Sequence, residues 1–359
     1  EKEEAAMSQK MSTLEEKYPY HIKDVHISDP FILADPISKK YYTYVHFADQ
    51  RRFPDIEKKE ACFYVLESED LIHWTKPRVC FTKGDFWADS DYWAPEVHIW
   101  KGKYYLISSF RAPGTFRRCQ CLVADSPRGP FKPVKMKPVT PDGWHCLDGT
   151  LYVDRLGKPW MAFCHEWLQV YDGQICAVPL SDDLGEAVGE PIILFRASDG
   201  PWTADATRPG GYVTDGPFLY RLKSGILIML WSSFSPSGGY TVGYARSMSG
   251  EIQGPWVQEQ KPLYALDGGH AMLFHSFGGE LMMSLHCPNR HDAKRILLFE
   301  MEETYDGLHI VNEVTGNWYN NVGGVAKMFA YREPCIEEPR FLVDPRFRED
   351  EKEKGTDGK

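Results

Sequence analysis

Short apolar segments separated by turn-forming residues repeat along most of the chain. Five pairs of such segments share one order: a polar or proline-bearing start, an apolar strand, a tight turn and a second apolar strand. They cover residues 29–46, 94–109, 148–164, 215–232 and 270–286. Subtraction of the five starting positions gives spacings of 65, 54, 67 and 55 residues. Apolar runs of this length, broken by Gly, Pro, Asn and Asp, predict β-strands joined as hairpins.

A further β-rich stretch follows the hairpins and extends each unit to four antiparallel strands. Five such units arranged radially predict an all-β fold, a five-bladed β-propeller. A β-sandwich with coincidental spacing is the alternative, but a sandwich does not predict five matching hairpins. We expect one propeller domain over residues 21–340. A polar arm precedes it at residues 1–20, and a charged tail, predicted to be disordered, follows at residues 341–359.

The charge balance limits the possible partners. The 359 residues include 41 Lys and Arg against 51 Asp and Glu, which gives a net charge of -10. This acidity argues against binding to nucleic acid or to an anionic membrane surface, because both need an excess of basic residues. Aromatic residues make up 14% of the chain, a composition that suits neutral polar ligands such as sugars. The expected partner is an oligo- or polysaccharide, and the oligomeric state stays open.

Nine cysteines are scattered along the chain without a CxxC pair. An odd number without compact spacing argues against a disulfide framework and against a structural zinc site. Several lie in apolar stretches, where a buried free thiol is the ordinary interpretation. These features favour a cytoplasmic location. A secreted or periplasmic location stays possible if a signal peptide has been removed.

The strand starts predict a pocket of carboxyl groups. In a propeller the innermost strands surround a central channel, so the residues that open them meet at one mouth. These residues are Asp29, Ala94, Asp148, Asp215 and His270. The second strands return to the same mouth and add His46, Arg111, Glu166, Ser232 and His286. An aspartate before Gly or Pro is ordinarily a turn former. We interpret Asp35, Asp91 and Asp142 as ordinary turn residues. Three aspartates at matching positions of a repeat indicate function instead.

Four motifs in this order resemble one enzyme family. They are ISDPFIL at residues 27–33, YWAPEV at 92–97, DGTLYVD at 148–154 and GGH at 268–270. Together they are similar to glycoside hydrolase family 43 over roughly residues 25–310. The resemblance implies a five-bladed propeller with three acidic residues in its active site and no required cofactor. It also implies inverting hydrolysis of α-L-arabinofuranosides, β-xylosides or, occasionally, β-galactosides.

The resemblance also assigns roles to individual residues. Asp29 matches the general base that activates water, and Asp148 matches the aspartate that orients the acid and tunes its pKa. His270 matches a central histidine that is often close to a calcium or other ion, so a structural ion is expected near it. The acid position departs from the family, which usually has Glu-Gly-Pro where this chain has Asp215 before Gly-Pro. Asp215 is the favoured acid, and Glu166, with its longer reach and its neighbour Trp167, is the alternative.

This set of residues suits inverting hydrolysis, which needs an ionised and a protonated carboxyl group about 6.5–9.5 Å apart. Arg111 is expected to hold a hydroxyl or carboxylate of the ligand, and Ser232 and His286 are expected to line the pocket. Four tryptophans are candidates to stack on sugar faces: Trp93, Trp144, Trp167 and Trp231.

The sequence therefore predicts an inverting glycosidase that acts on a terminal or side-chain pentoside. Two alternatives stay open: a carbohydrate-binding propeller with impaired catalysis, because the acid position is altered, and an exo-β-galactosidase. A retaining fructan enzyme is disfavoured, because its Asn-Asp-Pro-Asn and Glu-Cys elements do not occur in the chain. An interaction propeller of WD repeats is disfavoured by the spacings of 54 to 67 residues.

Overall fold

The computed structural model describes residues 16–46, 62–205, 211–290 and 293–315. These residues form five antiparallel sheets in a ring, so the predicted five-bladed β-propeller is confirmed. Blade 1 adds two short strands to the common four-stranded plan.

Each blade is built from one continuous part of the chain. Blade 1 contains β1 Tyr20–His21, β2 Ile32–Asp35, β3 Lys40–Val45, β4 Cys62–Ser68, β5 His73–Trp74 and β6 Arg78–Thr82. Blade 2 contains β7 Ser90–Trp100, β8 Lys103–Arg111, β9 Arg118–Ala124 and β10 Lys132–Pro133. Blade 3 contains β11 Cys146–Val153, β12 Pro159–His165, β13 Gln174–Pro179 and β14 Ile192–Arg196.

Blades 4 and 5 follow the same plan. Blade 4 contains β15 Asp215–Arg221, β16 Leu227–Phe234, β17 Tyr240–Ser247 and β18 Trp256–Gln258. Blade 5 contains β19 Gly269–His275, β20 Leu281–Cys287, β21 Arg295–Glu303 and β22 Leu308–Glu313. In the part of the chain that the structure describes, residues 16–17 are helical, and the other helical segments are the short helix α1, Trp167–Val170, and two 3-10 turns, Ile22–Asp24 and Ala197–Asp199.

Aromatic side chains fill the centre of the ring. The ring of Phe31 in blade 1 lies 4.9 Å from that of His98 in blade 2 and 6.4 Å from that of Phe218 in blade 4, measured between centroids. Side chains from three different blades can meet in this way only near the propeller axis. The channel is therefore packed below the mouth that carries the acidic residues, and a ligand would enter from that mouth.

Polar contacts close the ring between its last and first blades. The Ser284 hydroxyl donates to the Pro30 carbonyl at 2.8 Å, and the Arg295 Nε donates to the Lys23 carbonyl at 2.7 Å. Each described strand of these two blades pairs only within its own sheet. Closure therefore depends on side-chain packing and these hydrogen bonds.

The described blades run from Tyr20 to Glu313 and lie within the predicted domain apart from their first residue. Residues 1–15, residues 316–340 and the predicted tail at 341–359 lie outside the described residues, so the domain boundaries stay predictions. The eight cysteines that the structure describes are buried, and none of them forms a disulfide with another described residue. In this same part of the chain, no helix is long and apolar enough to cross a membrane.

Candidate active site

Every blade has a residue in the left-handed backbone conformation in or just before its innermost strand, at the same mouth. These residues are Asp29, Ala94, Asp148, Gly216 and His270, and their φ angles lie between 50° and 56°. In blades 2 to 5 each of them falls within a register shift of the strand ladder. Bulges of this kind bend a strand and redirect its side chains. The repeated bulge is therefore what turns these side chains towards the channel mouth.

The structure corrects the predicted starting residue of blade 4. Gly216, not Asp215, is the structural equivalent of Asp29, Asp148 and His270. With Gly216 in place, the spacings become 65, 54, 68 and 54 residues, by subtraction of 29, 94, 148, 216 and 270. Asp215 lies one residue earlier, where it pairs with Ser232 on the neighbouring strand. It therefore approaches the mouth from a different backbone position than the other two aspartates.

Hydrogen bonds between blades hold these left-handed residues in place. The N–H of Asp29 donates to Nδ1 of His286 at 3.1 Å, and the N–H of Asp148 donates to Oγ of Ser109 at 3.0 Å. The N–H of His270 donates to Oγ of Ser232 at 2.8 Å. Each acceptor lies at the end of the second strand of the preceding blade. The relative positions of the blades therefore determine the geometry of the site.

His270 connects the acidic residues of the site. Its Nδ1 lies 3.2 Å from Oδ1 of Asp29 and 3.7 Å from Oδ2 of Asp148. The same Asp148 oxygen accepts the N–H of Gly216 at 2.9 Å. One imidazole thus brings together the carboxyl groups from blades 1 and 3 and the strand that carries Asp215.

Tyr240 is a site residue that sequence reasoning missed. Its hydroxyl donates to Oδ2 of Asp215 at 3.0 Å, and its ring stacks on that of His286 with centroids 5.4 Å apart. The signal was the glycine before His270: a Cβ at Gly269 would lie 2.3 Å from the Tyr240 ring. Gly269 therefore provides the space in which Tyr240 reaches Asp215.

Asp29 and His270 form an ion pair in which His270 is buried and Asp29 is partly exposed. Burial favours the neutral form of Asp29, but the charge and hydrogen bond of His270 outweigh it and hold the pKa of Asp29 well below its usual value. Burial likewise favours neutral His270, but Asp29 and Asp148 raise its pKa to about 10. At neutral pH the site therefore contains an ionised Asp29 beside an imidazolium.

The other two aspartates keep a proton more strongly than ordinary carboxylic acids. Burial and the negative charges of Asp215 and Asp29 raise the pKa of Asp148 to about 8, against the opposing charge of His270. Burial, together with the charge of Asp29, raises the pKa of Asp215 to about 6. Because the two groups interact, their protons belong to the pair. The site thus contains both an ionised carboxylate and a carboxylic acid near neutral pH.

Glu166 has a different environment. It lies 3% exposed and accepts a hydrogen bond from Nη1 of Arg117, while Nδ1 of His145 lies 3.2 Å from its Oε1. Burial would raise its pKa, but the charge of Arg117 and the contact with His145 lower it to about 2. Asp91, interpreted from sequence as an ordinary turn residue, also belongs to this group, because its Oδ2 accepts from Nε of Arg117 at 3.1 Å.

The structure separates the predicted substrate-binding residues into two groups. Ser232 and His286 are 0% and 1% exposed and hold backbone N–H groups, so their polar atoms position the site. Arg111 is also buried, and its Nε donates to the Thr115 carbonyl at 3.2 Å. Trp93 is 40% exposed, and Trp167 is partly exposed at the start of α1.

Two further tryptophan predictions have different outcomes. Trp231 is fully buried against Trp202, with ring centroids 4.5 Å apart, so it is a core residue and cannot stack on a sugar. Trp144 stacks on the His165 ring at a centroid distance of 4.2 Å.

The ion that the resemblance implies near His270 stays a prediction. In the structure, Nδ1 of His270 faces Oδ1 of Asp29 at 3.2 Å. The described residues contain no group of three or more His, Cys, Asp or Glu side chains that could hold a metal ion. We derive no catalytic step through an ion.

Gly216 is expected to be essential for this arrangement. It has a φ of 50°, and a Cβ there would lie 2.9 Å from Cγ and Cδ2 of His270. Gly216→Ala is therefore expected to displace the imidazole, to lower the free energy of unfolding by about 1–3 kcal/mol and to reduce activity. Thermal unfolding and turnover of the purified variant measure both effects.

Ala94 provides the matched control for this prediction. It has the equivalent position in blade 2 with a φ of 53°. Ala94→Gly removes a Cβ from the same backbone conformation, so we expect a change in stability within about 1 kcal/mol. Equal behaviour of Gly216→Ala and Ala94→Gly would show that contact with His270 is unimportant.

The fold and this constellation define a class of protein: a five-bladed propeller with three aspartates gathered around an imidazolium at one mouth. The family model described as Glycosyl hydrolases family 43 matches residues 21–307. The chain belongs to this family.

A solved structure that matches over nearly its own full length supports the same relationship. The endo-arabinase from Bacteroides thetaiotaomicron VPI-5482 is 42% identical, with a TM-score of 0.75. The match covers 81% of this chain and 99% of that chain.

Two curated relatives match over shorter segments. The xylosidase/arabinosidase 43A of Humicola insolens is 34% identical over 88 residues, 24% of this chain and 26% of the relative. The extracellular exo-α-(1→5)-L-arabinofuranosidase ArbA of Cellvibrio japonicus (strain Ueda107) is 22% identical over 214 residues, 54% of this chain and 60% of the relative. The matches thus span less than two thirds of the length of either relative.

Proposed function

We propose that this protein is an inverting glycoside hydrolase that cleaves pentosides. The observation that carries the proposal is that the carboxyl groups of one cluster differ in how strongly they hold a proton. Asp29 is held ionised by His270, while Asp148 and Asp215 have raised pKa values. Inverting hydrolysis requires a base and an acid of this kind in one site.

In the proposed reaction, Asp29 accepts a proton from water as the water oxygen bonds to the anomeric carbon. The glycosidic bond breaks at the same time, and Asp215 gives its proton to the leaving oxygen. The net change is the addition of one water across the bond, with inverted configuration. His270 holds one oxygen of Asp29 and keeps this carboxylate charged. Asp148 is the positioning residue that fixes the Gly216 amide next to the acid.

Asp215 is the proposed acid, and Glu166 is not. Glu166 is buried, paired with Arg117, and has a pKa near 2, so it has no proton to donate near neutral pH. Asp215 has a pKa near 6 and is partly exposed at the mouth.

For the substrate we propose α-L-arabinofuranosyl linkages first and β-xylosyl linkages second. The proposal is supported by the 42% identical endo-arabinase and by the relatives named xylosidase/arabinosidase and exo-α-(1→5)-L-arabinofuranosidase. The partner would thus be an oligo- or polysaccharide. The Cellvibrio relative is described as extracellular. The expected cytoplasmic location is therefore not supported, and secretion is compatible with the comparisons.

A substrate screen tests this proposal. Purified protein is incubated with aryl α-L-arabinofuranoside, aryl β-xyloside, aryl β-galactoside and α-(1→5)-linked arabinan, and released sugar is measured. We expect hydrolysis of arabinosyl substrates. Turnover of the galactoside alone would favour the exo-β-galactosidase alternative. Binding of arabinan without turnover of any substrate would support a binding propeller with impaired catalysis.

Tyr240 is expected to set the alkaline limit of activity. Its hydrogen bond favours the ionised form of Asp215, so its removal raises the pKa of Asp215 and the acid keeps its proton to higher pH. For the unmodified protein we expect kcat/KM to fall as pH rises between about 6 and 8, the two pKa values of the pair. Tyr240→Phe should move this limb upwards by about one pH unit.

The matched control is Tyr244→Phe, which removes a hydroxyl from the same strand whose acidic neighbours are Glu259 and Asp306 instead of Asp215. It should leave the pH profile in place. A downward shift in Tyr240→Phe would mean that Tyr240 does not stabilise an ionised acid.

A further inference from the structure

The ion network around Arg117 is not used in the proposed reaction, although it lies beside the site. Arg117 is 4% exposed. Its Nε and Nη2 lie 3.1 Å and 3.0 Å from Oδ2 of Asp91, and its Nη1 donates to Glu166. Burying a charge costs desolvation free energy, so buried charges are ordinarily paired in this way. The two carboxylates therefore fix the plane of one guanidinium group from two sides.

The guanidinium group of Arg117 lies over the indole ring of Trp93. The Cζ atom of Arg117 lies 4.0 Å from the ring centroid, the distance of a stacked cation–π pair. Trp93 nevertheless remains 40% exposed. Strand β7 has a register shift on either side of it, between Ser90 and Trp93 and between Trp93 and Glu96. The ring thus projects from the strand with one face on Arg117 and the rest towards solvent.

Trp93 is linked to the acidic residues through Ser109. It pairs across the blade with Ser109, and Oγ of Ser109 accepts the backbone N–H of Asp148 at 3.0 Å. It also has the position in blade 2 that Asp215 has in blade 4, immediately before the left-handed residue. The exposed indole is therefore at the same mouth as the proposed acid.

We propose that Arg117, locked by Asp91 and Glu166, is a positioning residue that holds the Trp93 ring as a platform for a sugar unit next to the cleaved bond. The proposal rests on the proposed function, because it assigns a binding role within that same site. It gives Glu166 a task other than proton transfer: Glu166 is the counter-ion that fixes Arg117. Affinity for substrates of several sugar units should then depend on Arg117 more than the rate of bond cleavage does.

The chemistry of arginine is what makes this arrangement possible. The guanidinium group is planar and donates to two carboxylates while its face stacks on an aromatic ring. A lysine keeps the charge but has neither the plane nor the fork of donors. An indole held in one orientation can pack against the apolar C–H face of a sugar without losing conformational freedom on binding.

The test compares Arg117→Lys, Trp93→Ala and the double variant with the unmodified protein. Arg117→Lys keeps the charge beside Asp91 and Glu166, so it avoids leaving both carboxylates unpaired. The matched control is Arg118→Lys, because the neighbouring Arg118 binds Asp142 and the Thr140 carbonyl instead of Trp93. KM and kcat are measured on an α-(1→5)-linked arabino-oligosaccharide and on an aryl α-L-arabinofuranoside, and folding is checked by thermal unfolding.

We expect Trp93→Ala to raise KM for the oligosaccharide about tenfold and Arg117→Lys to raise it about three- to tenfold, with smaller changes in kcat. The double variant should be no worse than Trp93→Ala alone, because Arg117 acts through the ring. Arg118→Lys should be unchanged. Additive losses in the double variant, or an equal loss of kcat on both substrates in Arg117→Lys, would overturn the proposal.

Failure of the proposed function can be recognised separately. If the unmodified protein hydrolyses neither substrate, the proposed reaction is wrong. The platform is then decided by calorimetric binding of arabinotriose to the same four variants. Weaker binding in Trp93→Ala and Arg117→Lys, with Arg118→Lys unchanged, supports the platform; equal binding by all of them contradicts it.

Discussion

Replacing Asp29 by asparagine is expected to lower the turnover number by about 10²–10⁴, the usual effect of removing a general base. Asparagine has nearly the same shape but cannot accept the proton of water. Substrate affinity should change little, because the side chain still fills its place beside His270. Turnover and KM on an aryl arabinofuranoside measure the two effects separately.

The matched control is Asp142→Asn, since the Asp142 side chain is 99% exposed and faces Arg118 instead of His270. It should retain full activity. The stability of Asp29→Asn must be recorded as well, because the variant removes the partner of a buried imidazolium. If a folded Asp29→Asn protein keeps near-normal turnover, this mouth is not the active site.

Loss of Asp215 should slow the enzyme in a way that depends on the leaving group. Asp215→Ala removes the proposed proton donor, so substrates with poor leaving groups should lose about 10²–10⁴ in rate. Activated aryl substrates, whose leaving groups depart without protonation, should lose much less. A series of aryl arabinofuranosides with leaving groups of different pKa measures this dependence.

Glu166→Gln is the informative comparison. It removes the carboxylate that faces Arg117, so we expect lower stability and weaker binding but no dependence on the leaving group. If Glu166→Gln shows that dependence while Asp215→Ala slows all substrates alike, the assignment of the acid is reversed.

The fold could be predicted from sequence because the strand pattern is local and repeats. Every hairpin has its own turn residues and apolar strands, and five such units leave few architectures open. Residues directly at the repeated motif, such as Asp29, Asp148 and His270, could be selected in the same way. Their meeting at one mouth follows from the symmetry of the propeller.

The remaining details depend on how blades pack on each other, which the sequence does not display. The sequence does not show that Gly216, and not Asp215, is the left-handed residue of blade 4. The segment Asp-Gly-Pro resembles both the Asp-Pro start of blade 1 and the Asp-Gly start of blade 3. Asp91 was interpreted as a turn residue because its local sequence gives no sign of Arg117, 26 residues away. Tyr240 reaches Asp215 only because Gly269 of the next blade leaves room for its ring.

We propose that Asp29 and Asp215 hydrolyse a pentoside in one step with inversion. Proton NMR of the first-formed product, recorded before the free sugar changes its anomeric form, tests this mechanism. From an α-L-arabinofuranoside we expect β-L-arabinofuranose as the initial product. Initial release of the α-anomer would show retention through a covalent intermediate and would contradict the roles given to both residues.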